Sequence, residues 1–199
     1  MRSIVYWNAF CYTTIMRLLY LSGFKDRYAK LAALIPEGAS VVELCCGDCY
    51  LYRNFLAKKK VKYTGLDINP SFIAKAKKNG IDVQWFDVHA ADKIPAAEFV
   101  IMHASLYQFL PDAAAVMKKL LAAAQKTVII AEPVKNLSTS QNGLIRFIAK
   151  RFSNPGTHHQ MERFNEKSFV AFCNTFSANL TSISGSANGK ELIAVFNKG

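Results

Sequence analysis

The sequence predicts an α/β fold: a doubly wound, mostly parallel seven-stranded sheet with N-terminal helices and a C-terminal antiparallel hairpin. Three observations carry this. Short apolar runs alternate with helical patterns from Val41 to Ala131, the rhythm of strand–helix–strand crossovers. The first run, Val41-Val42-Glu43-Leu44, breaks into the small-residue turn Cys45-Cys46-Gly47, which opens a helix. Near the C-terminus, Asn188-Gly189 stands between two apolar runs, a strong hairpin signal.

In chain order, residues 3–21 read as an aromatic-rich helix (Tyr6, Trp7, Phe10, Tyr12, Tyr20) that stops at Ser22-Gly23. A second helix, Lys25 to Leu34, ends before Pro36. Together, residues 1–36 are expected to form a cap or lid on a core of residues 37–199, the whole being one domain at 199 residues. The run from Ile4 to Leu21 raises a signal peptide or a membrane span, but Asn8, Thr13, Thr14 and Arg17 interrupt it. A span wants about 20 mostly apolar residues, and no small-residue cleavage pattern closes the run. The expected location is the cytoplasm, peripheral to a membrane at most.

A helix is expected over Leu51 to Lys58 and a strand over Val61 to Leu66, ending in Asp67. Asn69 caps a helix whose first residue is Pro70 and whose stop is Gly80. A third strand, Ile81 to Phe86, ends in Asp87, and a fourth, Glu98 to Met102, ends at His103. Pro111 and Asp112 begin a helix lasting to Gln125, before a fifth strand over Thr127 to Ala131. A basic amphipathic helix is read over residues 143–152, and another helix from Phe164-Asn165-Glu166 to near Phe176. Strands at Leu180 to Ser184 and Glu191 to Asn197 close the chain.

The chemistry concentrates at the carboxyl ends of these strands. A strand, a small-residue turn and a helix start offer unpaired N–H groups to a nucleotide-like ligand. Asp67, about twenty residues beyond Gly47, is spaced to accept hydrogen bonds from ribose hydroxyls. A dinucleotide site wants G-x-G-x-x-G, and only Gly47 is present. Cys45 to Cys49, Asp67, Asp87 and His103 all fall at ends of strands, hence on one rim of the predicted sheet.

Glu43 inside the first strand, the turn that follows, Asp87, His103-Ala104-Ser105-Leu106-Tyr107 and the fifth strand into Glu132-Pro133 resemble the core of class I S-adenosylmethionine-dependent methyltransferases. The pattern there is E/D-x-G-x-G-x-G, with Cys45 and Cys49 standing here where outer glycines usually do. Cysteine fits by size but reaches positive φ less cheaply than glycine. The resemblance is to the Rossmann-like branch that modifies quinones, lipids and other small molecules. It implies that Glu43 and the turn Leu44, Cys45, Cys46 and Gly47 face the methionine part of the cofactor, S-adenosyl-L-methionine. It also implies that Asp67 holds the ribose with Ile68 against adenine, that Asp87 meets the adenine amino group beside Val88, and that His103 and Ala104 line the sulfonium side. Loose matches extend to substrate contacts from Tyr6, Tyr12, Tyr107, His159 and Arg163. The general base, where an acceptor needs one, comes from His103, Tyr107, His158 or His159, because such groups can exchange a proton.

Composition bounds the partners. The balance of 25 Lys+Arg against 14 Asp+Glu gives a net charge of +11, which suits anionic partners. No nucleic-acid recognition module accompanies the core, so nucleic acid is disfavoured. A small, partly apolar acceptor is expected, collected near an anionic membrane surface by the basic helix at residues 143–152, by a monomer or weak homodimer. Five cysteines, three of them in one turn, read as free thiols rather than a disulfide framework. No metal is expected, since Cys45, Cys46 and Cys49 have no fourth ligand near them in sequence. Two alternatives stay open: a thiol redox protein using Cys46 and Cys49 at a strand-to-helix turn, and a non-catalytic cofactor-binding scaffold.

Overall fold

Val41 and Val42 are adjacent and both buried, yet they pack into different layers. Val41 joins Leu31, Ile35, Leu51, Ile73, Ile101 and Ile129, whereas Val42 joins Leu120, Met117, Val100, Val128 and Phe169. Successive strand residues point to opposite faces, so a strand covered on both sides must be apolar without alternation. That is why the central strands read as continuous hydrophobic runs.

The computed structural model describes residues 23–135, 163–186 and 189–199. Its sheet has seven strands: β1 (Ser40–Leu44), β2 (Lys62–Asp67), β3 (Val83–Trp85), β4 (Ala97–His103), β5 (Ala124–Pro133), β6 (Leu180–Gly185) and β7 (Glu191–Asn197). Their order is β3-β2-β1-β4-β5-β7-β6. The pairs among β1 to β5 are parallel, and β7 lies antiparallel between β5 and β6. The order reverses between β1 and β4, where a crevice opens outside the carboxyl ends of a doubly wound sheet.

On one face lie α1 (Gly23–Ala33) and α2 (Pro70–Lys78), and on the other α3 (Ala113–Ala123) and α4 (Glu166–Asn174), following the two buried clusters. Asn69 accepts from the Ser71 N–H ahead of Pro70, the expected cap. Asn165 and Ser168 form a reciprocal capping box at the start of α4.

Several elements differ from the sequence expectation. The segment expected as a helix from Leu51 to Lys58 contains a π turn, Tyr52–Leu56, and a 3-10 turn, Ala57–Lys59. The Ala57 N–H reaches the Tyr52 carbonyl, five residues back, and the chain leaves through Lys60 at φ 52°. With that winding, Tyr50 and Phe55 both meet Tyr28 of α1, at ring-centroid distances of 4.6 and 6.4 Å. β3 is shorter than expected, and α3 stops at Ala123 because Ala124 already pairs with Ala97 of β4. A 3-10 turn, Leu106–Phe109, follows β4 where no element was expected. The aromatic helix at residues 3–21 and the basic helix at residues 143–152 lie outside the described residues, as does most of the expected lid. Of the described residues, no helix is long and apolar enough to cross a membrane.

Candidate active site

Two strand ends and α1 enclose one cleft. It is lined by Glu43, Cys45, Cys46, Gly47 and Asp48 after β1, by His103, Ala104 and Ser105 after β4, by Arg27 and Tyr28 of α1, and by Tyr50. The turn after β1 is wound left-handed at three positions: Cys45 (φ 53°), Gly47 (φ 55°) and Cys49 (φ 56°). Two cysteines thus adopt the conformation that glycine takes without steric cost. Space above Gly47 is open, since an added Cβ would meet nothing within 4 Å.

Asp67 fixes that turn to β2. One carboxylate oxygen accepts the Gly47 N–H at 2.8 Å and the other accepts the Asn69 N–H at 2.8 Å. Burial raises its pKa, partly offset by these N–H donors. Each oxygen retains a lone pair for a further donor.

Glu43 accepts the Tyr63 hydroxyl at 2.6 Å. Burial pushes its pKa up to about 8, with the Tyr63 hydrogen bond pulling the other way. Gly65 stands opposite Glu43 in the sheet register. A Cβ on Gly65 would sit 2.8 Å from the Cys46 sulfur and 3.0 Å from the Tyr63 hydroxyl. This glycine therefore leaves the room in which the Glu43–Tyr63 pair and the Cys46 thiol fit. Its isolated place in an apolar strand is the sequence signal that could have found it.

His103 meets two partners that no local sequence pattern announces. Its Nε2 lies 2.7 Å from Arg27 Nη2 and 3.1 Å from both Arg27 Nε and Glu191 Oε1. Arg27 also donates to both oxygens of Glu191, and this ion pair is 1% exposed on each side. Arginine is always protonated and can only donate, so Nε2 is the acceptor and His103 is neutral. Burial, then the Arg27 charge, lowers its pKa accordingly. Burial alone would raise Glu191, but the Arg27 charge outweighs it and holds it down at about 2. The ring nitrogen that a general base would use is therefore already engaged.

Beyond His103 the chain turns through Ala104 at φ 53°, whose N–H donates to Ala131 at 2.7 Å. Glu132, at the end of β5 and fully buried, accepts the Ser105 N–H at 2.8 Å and the Leu106 N–H at 2.6 Å through one oxygen. Its pKa is pushed up to about 8 by burial, against those two N–H donors. Glu132 was visible in the sequence, but the turn it holds was not.

The remaining expected positions divide. Leu44 and Val88 have buried side chains in the core, so they can present only backbone to a ligand. Ile68 is 56% exposed immediately after Asp67. Asp87 accepts the His89 and Ala90 N–H groups and caps the turn after β3. Asp67, Ile68, Asp87 and Val88 share the rim with the cleft but are not among its lining residues. Tyr107 lies under Arg163, whose guanidinium sits 4.4 Å from the ring centroid. Tyr6, Tyr12, His158 and His159 fall outside the described residues. Among the described residues, no group of His, Cys, Asp and Glu could hold a metal ion.

Residues 41–127 match the family model described as a methyltransferase domain. The magnesium protoporphyrin IX methyltransferase of Synechocystis with bound SAH is similar at 14% identity and TM-score 0.66, with 94% of each chain covered. A possible histamine N-methyltransferase of Thermotoga maritima is similar at 16% identity and TM-score 0.64, with 92% of each chain covered. The chain has the class I S-adenosylmethionine-dependent methyltransferase fold. A third structure with this methyltransferase fold, a TehB-like SAM-dependent methyltransferase of Corynebacterium glutamicum, matches at 16% identity and TM-score 0.54, covering 87% of this chain and 88% of that one. No curated protein matches the chain by sequence.

The redox alternative finds no support in this methyltransferase fold. Cys46 and Cys49 are buried with their sulfurs 3.8 Å apart, and both are free thiols. The hydrogen bond from Cys49, followed by burial, lifts the Cys46 pKa far above its ordinary value. A redox cysteine needs an accessible thiolate, and both sulfurs are buried.

Proposed function

We propose that the chain is an S-adenosylmethionine-dependent methyltransferase acting on a small, partly apolar acceptor. The observation that supports it most is the Asp67 clamp on the Gly47 turn, beside the cleft that Glu43 enters from β1. The side chains suit the cofactor: the acids Glu43 and Asp67 flank the turn where a cationic, hydroxyl-bearing group would lie, and the turn leaves open space above Gly47. Asp67 would hold the ribose, Glu43 and the turn from Leu44 to Gly47 the methionine part, and Ile68 and Asp87 the adenine. His103 and Ala104 would border the reacting end.

The bound cofactor supplies an activated methyl group and leaves as a neutral thioether, so the protein need only position the acceptor and exclude water. His103 serves that purpose as a neutral ring locked by Arg27. A base is required only for an acceptor that keeps its proton, and Tyr107 remains the described candidate. Net charge and the basic segment at residues 143–152 support collection of the acceptor near an anionic membrane surface.

Calorimetric titration with S-adenosylhomocysteine tests the reading. Asp67→Ala should weaken binding by about 2–3 kcal/mol, the loss of a buried charge-assisted hydrogen-bonding group. Unchanged affinity in that variant would remove Asp67 from the site, and no binding by the native chain would remove the cofactor itself. Turnover on any acceptor would dispose of the non-catalytic scaffold.

A further inference from the structure

Three arginines are described, and two are neutralised by carboxylates: Arg27 by Glu191 and Arg53 by Asp48 at 2.7 Å. Arg163 has no carboxylate partner and makes no hydrogen bond among the described residues. Its guanidinium is nevertheless held, lying over the Tyr107 ring at 4.4 Å. Such stacking fixes the plane of the guanidinium and leaves its N–H edge free for bidentate contact with a planar or tetrahedral anion. Arg163 is half-buried, and none of its nitrogens is sealed from solvent.

Its position matters as much as its pairing. Tyr107 belongs to the 3-10 turn that begins two residues after Ala104 of the cleft. Glu132 holds the first N–H groups of that turn, and Arg163 is near enough to act electrostatically on the Glu132 carboxyl. Glu132 stays protonated to about pH 8 through burial, and so does not neutralise the Arg163 charge at neutral pH. The other oxygen of Glu132 is buried without a hydrogen bond among the described residues. Among the described residues, the local balance is therefore one half-buried cation held on an aromatic ring beside a neutral carboxyl.

We propose that Arg163, presented by Tyr107, is an anion-recognition point of the acceptor site, so that the methyl acceptor carries a carboxylate or a phosphate. This rests on the methyltransferase reading and narrows its acceptor to an anionic amphiphile. A phosphate could belong to a free metabolite or to a lipid headgroup, and the chemistry of the contact is shared.

The test uses the full chain with S-adenosylhomocysteine both present and absent. Benzoate and inorganic phosphate are titrated and followed by NMR, with benzamide as the uncharged control. Flotation with phosphatidylserine vesicles against phosphatidylcholine vesicles forms a second arm. At least one of the free anions, or the phosphatidylserine vesicles, should bind, benzamide should not, and Arg163→Gln should weaken that binding at least tenfold. Arg163→Lys should recover part of it, and both variants should bind S-adenosylhomocysteine as the native chain does. Anions bound free in solution would identify a soluble acceptor class, and binding confined to the vesicles a headgroup. Equal binding by native chain and Arg163→Gln in every arm, or binding in none, overturns the proposal. Failure of S-adenosylhomocysteine to bind, with anion binding intact, would strike the cofactor reading alone.

Discussion

Cys45 shows how a side chain can be tolerated where the backbone asks for none. At φ 53° a β-carbon costs about 1 kcal/mol relative to glycine. Its thiol packs only at the edge of a core cluster, so removing it forfeits little burial. Cys45→Gly should therefore leave stability unchanged or raise it by up to about 1 kcal/mol, read from urea unfolding. Cys45→Val, with a branched β-carbon in the same winding, should lose at least as much. Cys49 differs because its thiol is fully buried. There the relief of backbone strain and the loss of packing offset one another, and Cys49→Gly should be close to neutral. A large loss in Cys45→Gly would mean that the thiol itself is needed in the turn.

The helix α1 reaches the cleft through an ion pair that spans the chain from Arg27 to Glu191 of β7. Buried pairs of this kind contribute little net stability, but breaking one leaves a charge without compensation. Glu191→Gln alone should cost about 3–5 kcal/mol, whereas Arg27→Met with Glu191→Met should cost much less than the sum of the two single changes. A double-mutant cycle by urea unfolding measures that coupling, and additive losses would show that the pair does not bind α1 to β7. This pair also marks where the sequence stops being legible. The succession of strands and helices follows from alternating apolar runs, and Asp67 from its distance to Gly47, because both patterns are local. Arg27 and Glu191 are 164 residues apart and each looks like a surface charge on its own element. The π turn at Tyr52 escapes for a similar reason: it follows from how Tyr50 and Phe55 pack against Tyr28 of a different element.

For the molecule as a whole, buried carboxyls set the response to pH. Glu43 and Glu132 keep their protons to about pH 8, while the same groups in the unfolded chain release them near 4.5. Between those values the unfolded state has lost protons that the native state retains, so stability falls as pH rises. Each group accounts for roughly 3–5 kcal/mol across that window. Glu191, held down at about 2, acts oppositely: its contribution is present above 4.5 and lost as pH falls toward 2. Thermal melts should thus show greatest stability near pH 4.5–5 and a decline toward pH 8, which Glu132→Gln makes shallower. A flat profile in the native chain would show that neither glutamate is protonated. The same chemistry predicts how the site meets its ligand. A cation arriving in the cleft favours the ionised form of Glu43, so binding S-adenosylmethionine should release a proton near pH 7 and strengthen as pH rises. Titration calorimetry in two buffers of different ionisation enthalpy should give different apparent heats for the native chain and equal heats for Glu43→Gln. Equal heats in the native chain would mean that Glu43 keeps its proton with the ligand bound and acts there only as the partner of Tyr63.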